Sequence, residues 1–197
     1  SGEIWGQEEA RQKSPQQVHG RYILLQIKSG FILIDQQAAH ERVLYENYQQ
    51  AFRQTPLPSQ QSLFPETLEL SPADGMLLRD MLPELKTLGY DIQLSGQTFV
   101  IHGIPGDLQT GGEKQSIEEL LEQFKHFSAE LKMDKREKMI RSLAAQHALK
   151  PGSHLTAAEM QNLIDRLFAC EQPQTTPGGR NTFLTFRIDE LNKLFGR

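Results

Sequence analysis

The sequence has few features that would assign a compartment or a cofactor directly. Cys170 is the one cysteine among 197 residues, so no disulfide can form within the chain, and we expect a reducing cytoplasm. One thiol also excludes a zinc site built from several cysteines. No apolar run approaches the roughly 20 residues of a membrane span. The first residues, SGEIWGQEEARQKSPQQ, contain no apolar signal-peptide core. We therefore expect a cytoplasmic protein without membrane contact.

Two common catalytic motifs are also missing. The chain contains no G-x-x-x-x-G-K-[ST] phosphate loop and no G-x-S-x-G nucleophile elbow. The formal net charge of -4 argues against a surface that attracts nucleic acid as a whole. The basic run from Lys132 to Arg141 is interleaved with two acids, which favours a solvated helix face. We expect only weak DNA contact.

The apolar patterning predicts an α+β fold. The runs RYILLQI and FILID flank a turn at Gly30 and predict a hairpin, and a second hairpin joins YDIQL to TFVIHGI. The strands of the first hairpin are apolar at most positions, which predicts that helices cover both of their faces. A helix is predicted from Ala38 to about Phe52. Ser71 before Pro72, and the T-x-x-E box that begins at Thr156, predict two further helix starts.

The order of these elements predicts a two-lobed chain. Residues 1–18 are polar and charged and are interpreted as a flexible tail. Residues 66–133 carry their own helices and hairpin and are interpreted as a smaller inserted α/β subdomain. Residues 19–65 and 134–197 then form one discontinuous subdomain, with a small mixed sheet flanked by helices.

The stretch DQQAAHERVLYE places acids at the end of a predicted strand and along the following helix. Carboxylates spaced in this way can converge on a hard metal ion. Acids at a helix start are also common for electrostatic reasons, with the remaining charges in solvent. Spacing alone favours this second interpretation.

The same stretch fits a known motif. The pattern D-Q-x-A-x-x-E-x-x-x-x-E resembles the endonuclease motif in the C-terminal domain of bacterial MutL mismatch-repair proteins. It is formed here by Asp35-Gln36-Gln37-Ala38, Glu41 and Glu46, with Gln37 at the first variable position. The segments GRYILLQIKSGFILI and FACEQPQTTPGGRNTFLTFRIDELNKLFGR resemble the same family, so the resemblance covers about residues 19–197. It implies that the discontinuous subdomain forms a homodimer and that the inserted subdomain is regulatory.

The resemblance also implies partners. In the family, this domain couples mismatch recognition by MutS to a MutH-like nicking enzyme, a sliding clamp and a helicase. ATP and Mg²⁺ are expected only in an N-terminal ATPase half, so no cofactor is expected for this chain.

The chain departs from the family pattern where metal would bind. Gln37 and Gly178 stand where nicking members have histidines, and Ala145 and Thr176 stand where they have cysteines. Only Asp35 and Glu41 keep donor side chains. We therefore expect a degenerate site, no metal and no enzyme activity. The alternative is a metal-dependent nicking endonuclease with a non-standard ligand set.

The stretch QSLFP is a second candidate site. Gln61, Leu63, Phe64 and Pro65 match the short peptide type that docks on the bacterial sliding clamp, and the family resemblance places such a segment here. Adjacent apolar anchors in an extended segment suit docking into a pocket. The alternative is that Leu63 and Phe64 pack into the local core. A third possibility, a module that only tethers the clamp, predicts a monomer.

Overall fold

The computed structural model describes residues 14–108, 111–130 and 134–197, without the side chains of 127–130. The described elements, in chain order, are β1 (Gln16–Val18), β2 (Tyr22–Ile27), β3 (Gly30–Asp35), α1 (Gln36–Arg53), β4 (Ser59–Leu68), α2 (Pro72–Thr87), β5 (Asp91–Ser95), β6 (Thr98–Pro105), α3 (Glu113–Glu130), α4 (Lys135–His147), α5 (Ala157–Phe168), β7 (Phe183–Arg187) and α6 (Ile188–Leu194). They form two compact units. The first unit comprises the described part of residues 1–44 with 148–197, and the second comprises 45–147.

The first unit is built on a four-stranded sheet in the order β1-β2-β3-β7. The predicted first hairpin is confirmed, with Ile23 opposite Ile34 and Leu24 opposite Leu33. Each neighbouring pair is antiparallel, so the expectation of a mixed sheet is wrong although the α+β class is confirmed. The interpretation of 1–18 as a tail is wrong for Gln16–Val18, because their backbone pairs with β2. Residues 1–13 of that tail lie outside the described residues.

One face of this sheet forms the core of the first unit. Ile23, Ile32 and Ile34 are almost fully buried there. Helix α5 covers them with Met160, Leu163, Ile164 and Leu167 at the spacing of one helical stripe. The predicted capping box fixes the start of α5, since the Thr156 side chain accepts from the Glu159 amide and the Glu159 carboxylate accepts from the Thr156 amide.

The opposite face of this sheet carries apolar side chains that the first unit leaves partly exposed. Residues directly opposite each other in paired strands share a face. The cross-strand pairs therefore place Leu24, Leu33 and Leu184 in one row and Phe31 and Phe186 in the next. We call these five residues the open face. None of the five is fully buried, so the prediction that helices cover both faces is wrong for a single chain.

The second unit contains a three-stranded antiparallel sheet in the order β4-β6-β5, and the predicted second hairpin is β5 with β6. The predicted start of α2 is confirmed, because the Ser71 hydroxyl accepts from the Asp74 amide and Pro72 occupies the first turn. Gly89 follows the end of α2 with a φ of 93°, where a β-carbon would lie 2.9 Å from the Pro58 carbonyl oxygen. The core of this unit includes Leu68, Leu78, Met81, Leu85, Phe99, Ile101, Ile117, Leu120 and Leu121.

The basic helix α4 is engaged within the second unit. Arg136 lies 4.4 Å from the centre of the Phe52 ring, and Arg141 pairs with Glu137 at 2.7 Å. Lys135 binds the Asp80 carbonyl and lies 3.7 Å from Glu84. These contacts show that the interpretation as a solvated face is incomplete, because several of its cations contact protein groups. Lys132 lies outside the described residues.

Tyr90 and His147 form a buried polar pair in the second unit. Burial raises the pKa of the Tyr90 phenol well above its usual value. The phenol therefore stays protonated, and its oxygen shares a hydrogen bond with His147 Nε2, 2.9 Å away. His147, near the Ala145 position, thus has a protein partner within the second unit.

No helix among the described residues has the length and apolar character needed to cross a membrane. The assignment of residues 19–65 with 134–197 to a dimerisation subdomain, and of 66–133 to a regulatory one, stays a prediction. The boundaries between the two compact units lie within α1, between Leu44 and Tyr45, and directly after His147.

Candidate functional site

The strand–helix junction at Asp35 is the first candidate site. The Asp35 amide donates to the Thr182 carbonyl at 2.9 Å. Its side-chain Oδ1 accepts from the Ala38 amide at 2.9 Å. This satisfies one of the free N–H groups at the start of α1. The interpretation of Asp35 as a helix-start acid is confirmed.

Gln36 holds the junction in place and was not singled out from the sequence. Its side chain is fully buried and donates to the carbonyls of Gly20 and Ser153, at 2.9 and 3.0 Å. It accepts from the Gln17 side chain at 2.8 Å. A buried amide with these partners is a structural group. The Gln of this motif therefore ties β1 and the segment after α4 to the start of α1.

Glu41 is held by a cation from a distant part of the chain. Its carboxylate is 14% exposed and accepts from the Arg180 guanidinium at 2.8 Å, while Arg180 is 58% exposed. A half-buried carboxylate needs such compensation, because removal from water penalises the charged form. The expectation that Glu41 is solvated is therefore wrong.

Arg42 makes a second link to the same loop. It is buried, and its Nε donates to the Thr175 carbonyl at 2.6 Å. Glu46, also expected in solvent, is buried as well. The helix face that spacing alone assigned to water is therefore largely covered.

The loop that precedes β7 has a defined internal structure. The Thr176 and Arg180 backbones are hydrogen-bonded, and Thr176 Oγ1 accepts from the Arg180 amide at 3.1 Å. Thr175 and Asn181 form an isolated antiparallel bridge. Thr176 is buried, and its hydroxyl serves the loop itself. The loop thus presents Arg180 to Glu41.

The donor set at this junction does not suit zinc. Neither imidazole nor thiolate is provided by the side chains at the four family ligand positions, Gln37, Ala145, Thr176 and Gly178. His40 accepts from the Leu149 amide through Nδ1 at 3.0 Å. Among side chains of residues 14–108, 111–126 and 134–197, no three His, Cys, Asp or Glu converge as a metal centre requires.

Removal of the Arg180 cation provides a test of this arrangement. We expect Arg180→Ala to lower the free energy of unfolding by about 1 kcal/mol, because Glu41 loses its partner while it stays half-buried. Urea denaturation of Arg180→Ala, Glu41→Gln and the double variant gives the coupling energy between the two side chains. Additive effects would contradict a direct interaction. Lys125→Ala removes exposed ion pairs and is expected to have a smaller effect.

The QSLFP segment, the second candidate site, lies in β4 of the second unit. Gln61 pairs with Gly103 and Glu66 pairs with Ile101, so residues 62–65 fall outside the regular register. We call these four residues the β4 bulge. Leu63 is 90% exposed and Phe64 is 83% exposed. The alternative that these two side chains pack into the local core is therefore wrong.

Sequence reasoning missed Arg42, Arg180 and Gln36 as determinants of the junction. Arg180 was aligned with the family loop, but its contact with Glu41 joins residues 139 positions apart. Spacing along a helix carries no signal for such a pair. The D-Q dipeptide was the one available signal for Gln36.

These features define a class of protein. The chain is an α+β domain with an open apolar sheet face, an exposed apolar bulge and a strand–helix junction held by internal ion pairing. Such a domain is suited to assembly with other proteins.

Comparison with known proteins agrees with this class. The sequence model of the protein family described as the MutL C terminal dimerisation domain matches residues 16–155. The DNA mismatch repair protein MutL of Chlorobaculum tepidum is 36% identical over 191 residues, which are 95% of this chain and 31% of that protein. MutL of Chloroherpeton thalassium is 38% identical over 182 residues, 92% of this chain and 28% of the relative. MutL of Pelodictyon phaeoclathratiforme is 36% identical over 182 residues, 92% of this chain and 29% of the relative.

The chain belongs to the family of MutL C-terminal dimerisation domains. It spans less than a third of the length of these curated relatives.

Proposed function

We propose that this chain forms a symmetric homodimer through the open face, as the dimerisation domain of a mismatch-repair protein. The observation that carries this proposal is the continuous set of apolar side chains on that face, in a member of a family of dimerisation domains. Two identical apolar faces can pair across a two-fold axis, because each offers the surface that the other needs. The stacked rings of Phe31 and Phe186, with centroids 4.9 Å apart, give this face a flat aromatic area.

The C-terminal helix α6 supports the same assignment. Ile188 begins the helix, Leu194 ends it and Phe195 follows it, and all three are exposed large apolar side chains. No residue of α6 is fully buried within the chain. An apolar helix surface without cover gains stability when a partner removes it from water.

Sedimentation equilibrium at micromolar concentration tests the dimer directly. The expected mass is twice the 22.4 kDa of the chain. A mass of one protomer would favour the third possibility, a module that only tethers a clamp.

The β4 bulge is the second part of the proposal, as a contact for the bacterial sliding clamp. Leu63 and Phe64 are adjacent, exposed and followed by Pro65, which restricts Phe64 to extended geometry. Gln61 provides a polar group at the rim. Such a pair of anchors matches the short docking peptides that the sequence resembles.

In the wider assembly, we propose a coupling role. A dimer that also holds a clamp can connect mismatch recognition by MutS to a separate MutH-like nicking enzyme and a helicase. Strand cleavage is assigned to another protein because Glu41 is neutralised by Arg180 and the donor set does not suit zinc. No cofactor is assigned to this chain, and DNA contact is weak in this proposal because the surface is net acidic. A bacterial cytoplasmic location follows from the same role.

The competing function is a metal-dependent nicking endonuclease that uses Asp35 and Glu41. We expect no nicking of supercoiled plasmid in the presence of manganese, by the chain or by Asp35→Asn. Nicking by the unaltered chain that disappears in Asp35→Asn would reject the coupling role as the complete function. Stoichiometric zinc or manganese in the purified protein would point in the same direction.

A further inference from the structure

The β4 bulge lies opposite a break in the sheet of the second unit. On the β4 side, Gly103 of β6 pairs with Gln61 and Ile101 pairs with Glu66. The single residue between them, His102, therefore lies opposite the four residues of the bulge. On the β5 side, Asp91 pairs with Gly103 and the adjacent Ile92 pairs with Ile101. His102 is therefore out of register with both neighbouring strands. A coincident break on both sides indicates a built irregularity rather than a frayed strand end.

Gly103 makes this irregularity possible. A β-carbon at this position would lie 2.5 Å from Ser59 Oγ, 3.0 Å from the Gln60 carbonyl oxygen and 3.0 Å from Gln61 Nε2. All three atoms belong to the β4 residues that lead into the bulge. The absence of a side chain at Gly103 thus lets β4 approach closely and sets the position of Gln61.

Ser62 fixes the bulge from within. Its hydroxyl donates to the Phe64 carbonyl at 3.0 Å, which closes a short turn around Leu63. Pro65 has no N–H to give to the sheet and fixes its own φ. The backbone of the bulge is therefore restrained while its two apolar side chains point into open surroundings.

On the basis of the proposed clamp contact, we propose that Gly103 and Ser62 are positioning residues that present QSLFP as a preformed docking element. A preformed segment loses less conformational freedom on binding than a linear peptide, so the folded domain binds the clamp more tightly than the peptide does. Neither positioning residue needs to touch the partner. Each acts through the geometry of Gln61, Leu63 and Phe64.

Clamp binding by matched glycine variants tests this inference. Gly103→Ala is expected to weaken binding of a purified bacterial sliding clamp about tenfold. The Ser59 hydroxyl can rotate away from the new methyl group, but the Gln60 backbone carbonyl, 3.0 Å away, has to shift and moves the start of the bulge with it. Gly106→Ala is the control. A β-carbon there comes no closer than 3.7 Å to its neighbours, so clamp affinity is expected to stay unchanged. Circular dichroism and the melting temperature show whether each variant is folded.

Two further measurements keep the test decisive if Gly103→Ala does not fold. Ser62→Ala, which removes one hydroxyl from a partly buried position, is expected to weaken binding about threefold. A synthetic peptide of residues 57–69 is expected to bind about tenfold more weakly than the monomeric Leu184→Glu chain, which excludes avidity from the comparison. Unchanged affinity in folded Gly103→Ala or in Ser62→Ala, or equal affinity of peptide and chain, would overturn the preformed element. Absence of binding by both peptide and chain would overturn the clamp contact itself.

Discussion

Leu184→Glu is expected to convert the dimer into monomers at micromolar concentration. Leu184 lies on the edge strand β7, in the same row of the open face as Leu24 and Leu33. A carboxylate buried at an apolar interface without a partner costs about 3 kcal/mol or more. A two-fold interface contains the substitution twice, so the dissociation constant is expected to rise by a factor of about 10,000 or more. Sedimentation equilibrium over a concentration series measures this change.

Thr185→Glu provides the matched control for the dimer. Thr185 is the next residue on the same strand, is exposed, and pairs with Ile32 on the opposite side of the sheet. We expect it to keep the dimer mass. Dimer retention by Leu184→Glu would reject the open face as the interface, while loss of the dimer in both variants would indicate damage to β7.

The double variant Leu63→Ala, Phe64→Ala is expected to lose about 100-fold or more in affinity for the sliding clamp. Both side chains are exposed in the chain, so their energy is available to a partner. Apolar anchors that fill a partner pocket contribute about 2 kcal/mol or more each. Isothermal titration with purified clamp at fixed salt measures the effect. The melting temperature is expected to stay close to that of the unaltered chain.

Met76→Ala is the control for the double variant. Met76 is another exposed large apolar residue of the second unit, outside the β4 bulge. Its truncation is expected to leave clamp affinity unchanged. Unaltered binding by the double variant would reject QSLFP as the docking segment, and equal losses in both variants would indicate a non-specific apolar effect.

Local signals in the sequence predicted much of the local structure. Ser71 and Thr156 cap their helices as expected, because a cap involves side chains and amides only a few residues apart. The first hairpin followed from two apolar runs around Gly30. Strand β1 was missed because Gln16, Gln17 and Val18 do not alternate in an apolar pattern. Its pairing depends on β2 and on buried contacts of Gln17.

The candidate site was predicted in outline only. The absent imidazole and thiolate donors were visible in the residue types themselves. The ion pair of Glu41 with Arg180 and the bond from Arg42 to Thr175 depend on where a distant loop folds. Burial on both faces of β2 and β3 was expected because their apolar content was high. Apolar content alone does not distinguish cover by a helix of the same chain from cover by a second copy.

The β4 bulge also bears on solubility. Strand β4 is ten residues long and lies at an edge of its sheet, where unpaired backbone groups attract strands of other molecules. Four consecutive residues leave the regular ladder, and Pro65 among them offers no amide hydrogen. The longest straight stretch available for edge-to-edge pairing is thereby divided into two short pieces. The irregularity that exposes two apolar side chains thus also protects the strand that carries them from aggregation.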